Sequence, residues 1–510
     1  MPIRLDELHD DVVIYLFDLL DVPHILLLRQ TCRRIKQISE LRIVWTNACN
    51  HQILPRRFPF PDIALEELTA PQLERHTRHA YRLAARWRSL GGSPTPPTSV
   101  GSFEFDATNG TRVFDLRFVP GHEGRWLLTI SKGIWSTITL WELPDAGTMR
   151  NRRLFEWSRR DCLLQSFVLN SDSACEGALA VSVTQAGFGY PCIDSRLLTS
   201  PERRSHVELM SIHKDAGFRT IRSIASNLSP VYLRDDLIVL CDAIDLTLVM
   251  NWRTGASAIL QRPPALLESA ISHDRCTQIL FEADCVLVVR ARSLTLFPNP
   301  PLERHATVHA PLISHSFGWV DGVAVTTILS SSSTSNTGAT QPLSILIRPE
   351  PDDPWAGDDE HDLDLYTLHP AVAPDGNGIP YIFPPTLTAR VPSSRGSLQC
   401  SDLRLGPRGT AVWIQPQDRS AAGLLHTLQD DAHAPVSRKD ERLVCAVFPG
   451  PLYRHRNSET GVDAGGPTTV LGCTLRSNEL NNWKALDYDE VRGRIAVGST
   501  RGKVTVHSLA

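Results

Sequence analysis

Apolar residues near the amino end of the chain recur every three or four positions between residues 8 and 32. This is the period of an α-helix that buries one face. Pro23 interrupts the run, and the same spacing resumes after it. The pattern therefore predicts two short amphipathic helices, one on each side of Pro23. Their apolar positions are Leu8, Val12, Leu16, Phe17 and Leu20 before the proline and Ile25, Leu28 and Cys32 after it.

The helical period continues to about residue 90. A last helix is predicted to begin after Thr69, with Thr69 as the N-cap and Pro71 in the first turn. One face of this helix carries an arginine stripe, which either contacts an acidic partner or, as we favour, is a solvated face. The following segment, 91–99, is a predicted linker because its density of glycine and proline suits neither a helix nor a central strand. The stripe consists of Arg75, Arg78, Arg82, Arg86 and Arg88.

After residue 100 the pattern changes to short β-rich runs separated by turn residues, with no long helix among them. The sequence therefore predicts a mainly β region over 100–510, preceded by an α-helical region. Three polar segments, 330–341, 350–364 and 418–440, are predicted to be surface insertions. The predicted strands are 113–118, 126–130, 137–143, 178–183, 207–212, 237–241, 247–252, 286–290, 294–297, 322–329, 343–347, 411–414, 443–448, 470–475, 485–488, 494–497 and 503–508.

Composition narrows the function classes. The 510 residues are 42% apolar and 21% charged, and the formal net charge is −4. A chain with this charge has no overall positive electrostatic field that would attract nucleic acid. We find no signal peptide and no run long enough to cross a bilayer, so we expect an intracellular protein, cytoplasmic or nuclear. The 11 cysteines are scattered, and no metal, phosphate or nucleophile motif is present. We therefore expect no cofactor, no metal and no enzyme activity.

Residues 8–35 resemble an F-box, whose pattern is Leu-Pro-x-Glu-Leu-Leu, Ile-Phe, Leu, Asp-Leu, Leu and Val-Cys-Arg-x-Trp. The chain departs from this pattern at His9, His24, Thr31 and Ile35. The resemblance implies an F-box over 1–50, followed by a helical linker region over 51–90. It further implies docking on a Skp-type adaptor, and through it on a cullin. The expected adaptor-binding residues are Leu8, Val12, Val13, Leu16, Phe17, Leu20, Pro23, Ile25, Leu28, Cys32 and Arg33.

One predicted strand of the β region contains Trp141-Glu142, which imitates a Trp-Asp pair, and the last strand has His507-Ser508 in the corresponding place. By these features the β region resembles a WD-repeat propeller of six or seven blades. The final repeat is predicted to have three strands, so a four-stranded last blade would lack its outer strand. The third strand would then have an unpaired edge. We therefore predict that Ser102–Phe105 pairs with Lys503–Ser508 and closes the ring.

The two resemblances together imply the substrate-recognition subunit of a cullin-based ubiquitin ligase, in which the propeller binds an unidentified target protein. Two alternatives stay open. One is a scaffold that binds the adaptor without promoting degradation. The other is an enzyme with its site in the propeller channel, which rests on analogy between folds alone.

Overall fold

The structure is a computed structural model of the chain. It describes residues 8–91, 101–144, 151–185, 205–213, 215–261, 274–282, 284–318, 320–327, 340–349, 361–371, 379–393, 403–415, 440–453 and 466–510. The predicted linker 91–99 therefore lies outside the described residues, except for Gly91. Most residues of the predicted insertions 330–341, 350–364 and 418–440 also lie outside them.

Five α-helices form the amino-terminal part, here called the helical unit (residues 8–91). A π-helical turn at Cys49–Ile53 and a 3₁₀ turn at Leu65–Glu67 lie between the last two of them. The longest helix begins as predicted, because the Thr69 backbone N–H donates to Gln72 Oε1 at 2.9 Å. The helices are α1 (Asp10–Asp18), α2 (Val22–Leu28), α3 (Arg33–Ser39), α4 (Arg42–Ala48) and α5 (Ala70–Leu90).

Two details of the first helices differ from the predicted pattern. Pro23 lies within the first turn of α2, where a missing N–H is tolerated, and Asp21 is the N-cap. The predicted second helix is in fact two helices, since α2 ends at Leu28. Cys32 is the N-cap of α3, and its Sγ accepts from the Ile35 N–H at 3.4 Å.

The described residues of the β region form seven sheets, which are antiparallel except where a short parallel strand extends blades 3 and 5, so this region is a seven-bladed propeller. The first strand, β1 (Gly101–Asp106), joins the last blade. Blade 1 contains β2 (Arg112–Phe118), β3 (Trp126–Lys132), β4 (Ser136–Glu142) and β5 (Arg152–Ser158). Blade 2 contains β6 (Cys162–Leu169), β7 (Leu179–Gln185), β8 (Ser205–His213) and β9 (Gly217–Ala225). Blade 3 contains β10 (Ser229–Arg234), β11 (Leu237–Cys241), β12 (Thr247–Asn251) and β13 (Ser257–Leu260).

The remaining blades repeat this order, and two short strands extend neighbouring sheets. Blade 4 contains β14 (Cys276–Phe281), β15 (Cys285–Arg290), β16 (Ser293–Pro298) and β18 (Ile313–Ser316), while β17 (Thr307–His309) pairs in parallel with β13. Blade 5 contains β19 (Val320–Thr327), β20 (Leu343–Pro349), β21 (His361–Leu368) and β22 (Thr386–Ser393). Blade 6 contains β23 (Leu403–Leu405), β24 (Thr410–Gln415), β25 (Glu441–Val447) and β27 (Cys473–Asn478), while β26 (Thr468–Thr469) pairs with β22. Blade 7 contains β28 (Trp483–Asp489), β29 (Arg494–Ser499) and β30 (Lys503–Ser508).

The predicted closure of the ring is confirmed. Strand β1 pairs antiparallel with β30, and the register places Phe103 opposite Val506 and Phe105 opposite Val504. The outer strand of blade 7 thus comes from the start of the β region, so the blade has no unpaired third strand.

The propeller has two distinct ends. First strands of neighbouring blades contact one another around most of the ring and so surround its axis. Because strands alternate in direction, turns between first and second strands lie at one end, which we call the helix face. Turns between second and third strands, and the connections between blades, lie at the opposite end, which we call the open face. The helical unit packs on the helix face at the turns of residues 406–409 and 490–493.

Candidate functional site

The predicted adaptor-binding residues divide between the interior and the surface of the helical unit. Val13, Phe17 and Ile25 are buried in a core shared with α3, α4 and α5, so they support the surface rather than form it. Half-buried positions are Leu8, Leu16, Leu20, Leu28 and Cys32, whereas Val12, Pro23 and Arg33 are exposed. Burial of Phe17 and Ile25 follows from helical geometry, because one stripe of each short helix must cover the core.

An apolar surface remains uncovered on α1 and α2. Val12, Tyr15 and Leu19 lie three, four or seven positions apart on α1 and are 45%, 64% and 67% exposed. On α2, Leu27 is 60% exposed. We call these four residues the apolar row. Large apolar side chains exposed along one side of a helix, as the three on α1 are, are typical of protein–protein contact sites.

Sequence reasoning missed three members of the apolar row, namely Tyr15, Leu19 and Leu27. The sequence did contain a signal for Leu19, because it is seven positions after Val12 and therefore lies on the same side of the helix. The F-box pattern drew attention instead to positions that include the core residues Val13, Phe17 and Ile25.

Polar contacts hold α1 and α2 in place. Gln52 accepts from the Val22 N–H at 3.0 Å and donates to the Leu20 carbonyl at 2.6 Å, which fixes the turn between the two helices. Arg29 donates to both carboxylate oxygens of Glu74 at 2.7 and 2.9 Å, which joins the end of α2 to α5. The apolar row is therefore presented on a supported surface.

The helical unit is joined to the propeller through buried contacts. Trp87 of α5 meets Tyr488 edge to face at 5.9 Å between ring centroids. Leu83 lies against Gly493, where a Cβ would approach Leu83 Cδ1 within 2.5 Å and where φ is +62°. These contacts make one continuous core from α1 to blades 6 and 7.

A buried ion pair lies at the same junction. Arg408 Nη1 is 2.9 Å from Glu490 Oε2, and Arg408 Nε donates to the Arg57 carbonyl of the helical unit at 3.0 Å. Burial raises the pKa of the Glu490 carboxyl, while Arg408 and Thr410 counteract that rise. The pair links blade 6, blade 7 and the helical unit in one cluster.

The arginine stripe of α5 makes contacts within the chain. Arg75 pairs with Glu123 of blade 1 at 3.5 Å, and Arg78 pairs with Glu74 at 2.9 Å. Arg88 lies over the Phe58 ring at 4.5 Å. At these three positions the stripe therefore contacts side chains of the same chain, which neither interpretation predicted.

Two depressions on the propeller differ in size, and the larger one, of about 350 Å³, is wide open to solvent and is lined by Tyr232, Asp236 and Phe281, among other residues. A cleft of about 130 Å³ between blades 1 and 2 is lined by His122, Asp172 and Cys175, among other residues. Ligand pockets usually have about 300 to 1,000 Å³. In the cleft between blades 1 and 2, His213 Nε2 is hydrogen-bonded to Ser211 Oγ at 2.9 Å. Across the described ranges, no group of three or more His, Cys, Asp or Glu residues could hold a metal ion.

The described helices and cysteines have two further properties. In the part of the chain that the structure describes, no helix is both long and apolar enough to span a bilayer. The described cysteines are all free thiols, including Cys445 and Cys473, which lie opposite each other on neighbouring strands of blade 6.

No protein-family model matches the chain, and no curated protein matches it. Among solved structures, the chain is similar to the β-propeller domain of Myceliophteria thermophila Cps50 (Swd1), with 11% sequence identity and a TM-score of 0.43. That likeness covers 81% of this chain and 100% of the domain. The assignment of a propeller rests on the blade topology.

Proposed function

We propose that the protein is a substrate-recognition subunit whose helical unit docks on a Skp-type adaptor and whose propeller binds a target protein. The adaptor would connect it to a cullin-based ubiquitin ligase in the cytoplasm or nucleus. The protein itself would do no covalent chemistry, because its contribution would be to hold a target lysine near a ubiquitin-charged enzyme. A β-propeller suited to protein–protein contact is the part of this proposal with structural support.

The apolar row is the observation that carries the adaptor proposal. Its side chains are largely exposed on helices that resemble an F-box, and their supporting neighbours are fully buried. Burying a leucine or tyrosine side chain contributes roughly 1.5 to 3 kcal/mol before the costs of association. Covering Tyr15, Leu19 and Leu27 can therefore supply a substantial part of a stable interface.

The experiment is a pull-down of the full chain and of the variant Leu19→Ala/Leu27→Ala, probed for adaptor, cullin and ubiquitylated proteins. We expect the wild type to retain all three and the variant to lose them together. The matched control is Leu471→Ala/Leu480→Ala, which removes two exposed leucines from the propeller and should retain adaptor and cullin.

The outcomes separate the competing functions. Capture of adaptor without cullin would favour the non-degradative scaffold over the ligase subunit. Equal capture of adaptor by the wild type and by Leu19→Ala/Leu27→Ala would contradict docking through the apolar row.

A further inference from the structure

The open face carries an exposed hairpin turn in blade 1, between the second and third strands. Ile134 and Trp135 lie in the turn between β3 and β4, and they are 84% and 39% exposed. The Gly133 N–H donates to the Trp135 carbonyl at 3.1 Å, which keeps the turn tight. An exposed tryptophan beside an exposed aliphatic side chain is typical of a binding hot spot.

Lys132 and Arg112 lie beside this turn, and a third cation, Arg275, lies at the same end of the channel on blade 4. Lys132 is the last residue of β3, and its Nζ lies 3.3 Å from the centroid of the Phe114 ring. Arg112, at the start of the first strand of blade 1, approaches the same ring at 5.9 Å. Arg275 immediately precedes the first strand of blade 4. Since all first strands begin at the open face, both arginines lie at that end of the channel.

These cations lack a compensating anion in the part of the chain that the structure describes. No described carboxylate lies within ion-pair distance of Lys132, Arg112 or Arg275, and Arg112 Nε is buried without a hydrogen-bond partner. Asp115, the carboxylate that acts on Lys132, is engaged with Arg117 at 2.8 Å. Burial, followed by the charges of Arg112 and Arg275, lowers the pKa of Lys132 to about 8.

We propose that this part of the open face, formed by Arg112, Lys132, Ile134, Trp135 and Arg275, binds an acidic peptide segment that also carries an apolar side chain. The carboxylates would satisfy the three cations, and the apolar side chain would pack on Ile134 and Trp135. The inference rests on the proposed function, because it names the chemistry of the target that the propeller would capture.

Charge favours a peptide over nucleic acid. Three cations on a chain of net charge −4 form a local patch, whereas proteins that bind nucleic acid commonly neutralise about six to ten phosphates. A short acidic segment matches the size of this patch. The open face is also opposite to the face on which the helical unit packs, so a bound peptide and a bound adaptor would not compete.

The test measures fluorescence anisotropy of a labelled nonapeptide, Asp-Glu-Asp-Leu-Glu-Phe-Asp-Glu-Asp, with the full chain. We expect it to bind, and we expect its Asn/Gln counterpart and its Ala-for-Leu/Phe counterpart to bind more weakly. Lys132→Gln/Arg275→Gln and, separately, Trp135→Ala should each weaken binding of the acidic peptide about tenfold. The matched control Arg304→Gln removes an exposed arginine from the connection between β16 and β17 and should not change the binding of the acidic peptide.

Three results would overturn the inference: no preference of the wild type for the acidic peptide over its neutral counterpart, equal binding by the wild type and both open-face variants, or tighter binding of a thymidylate dodecamer than of the peptide. Trp135→Ala replaces an exposed side chain, so it keeps the test informative if the Lys132 variant is unstable. Since the assay contains no adaptor, its failure is distinguishable from failure of adaptor docking.

Discussion

Lys503 Nζ lies 2.6 Å from Glu104 Oε1, although the two residues are 399 positions apart in the chain. This contact lies on the exposed side of the pair of strands β1 and β30, which closes the ring. The apolar side of the junction is formed by Phe105, whose ring lies 4.9 Å from that of Trp141 in blade 1. Closure therefore joins blade 7 to blade 1 through a buried aromatic pair as well as through backbone hydrogen bonds.

Stability of the closed ring should depend on Phe105 and hardly at all on Glu104. Phe105→Ala leaves a cavity beside Trp141, and we expect a loss of about 3 kcal/mol in the free energy of unfolding, measured by urea denaturation. Glu104→Gln removes an exposed ion pair and should leave the unfolding midpoint almost unchanged. Equal effects of the two substitutions would contradict closure through the apolar side of the junction.

The junction between the helical unit and the propeller should depend on the ion pair of Arg408 and Glu490. Arg408→Ala leaves the Glu490 carboxyl buried without its partner, so we expect a destabilisation of about 3 to 5 kcal/mol. Replacing both residues, as Arg408→Met/Glu490→Leu, should recover much of this loss because no charge stays buried. Arg152→Ala, which breaks an exposed ion pair with Glu142, is the matched control. A similar effect of Arg408→Ala and Arg152→Ala in urea denaturation would refute this role.

Acid should weaken the protein through two histidines of α5. Burial, followed by the positive charge of Arg492, lowers the pKa values of His76 and His79 to about 4, whereas an unfolded histidine has a pKa of about 6.5. Between these values the unfolded chain binds more protons than the folded chain, so the free energy of unfolding falls as the pH falls.

The variant His76→Gln/His79→Gln should therefore lose less stability than the wild type between pH 7 and pH 5, as measured by urea denaturation at both values. The expected difference is on the order of 1 to 3 kcal/mol. His24→Gln, at an exposed position of α2, is the control and should behave as the wild type. An identical pH dependence in the double variant and the wild type would show that these histidines are not responsible.

The middle strands of the blades could be predicted from sequence, and the edge strands mostly could not. Strands such as β3 and β15 are buried along nearly their whole length, because neighbouring blades cover both of their faces. Their sequences are therefore mostly apolar and can be recognised as strands. The outer strands β5 and β9 are largely half-buried or exposed, so their sequences lack such a run. The pairing of β1 with β30 was nevertheless predictable, since it follows from counting strands in the last repeat.

The candidate docking surface was predictable only in outline. Periodicity located α1 and α2, but it did not distinguish the side that faces the core, with Phe17 and Ile25, from the side that faces solvent, with Leu19 and Leu27. Which side of α1 and α2 faces the core depends on how α3, α4 and α5 pack against these two helices. The Arg408–Glu490 pair was also beyond sequence reasoning, because its partners belong to different repeats and are 82 positions apart.

Substitutions in the helical unit should separate folding from docking. Phe17→Ala opens a cavity in the core and should lower the free energy of unfolding by about 3 to 5 kcal/mol. Leu19→Ala, by contrast, removes an exposed side chain and should change it by no more than about 0.5 kcal/mol. If urea denaturation gave equal losses for both variants, Leu19 would be part of the core and unavailable to a partner.

Amide hydrogen exchange of the full chain, with and without a purified Skp-type adaptor, tests the docking proposal most directly. We expect the adaptor to slow exchange in α1 and α2 of the wild type and to leave exchange in the β3–β4 turn unchanged. The variant Leu19→Ala/Leu27→Ala should show no such protection. Unchanged exchange in α1 and α2 of the wild type at a saturating concentration of adaptor would contradict the account.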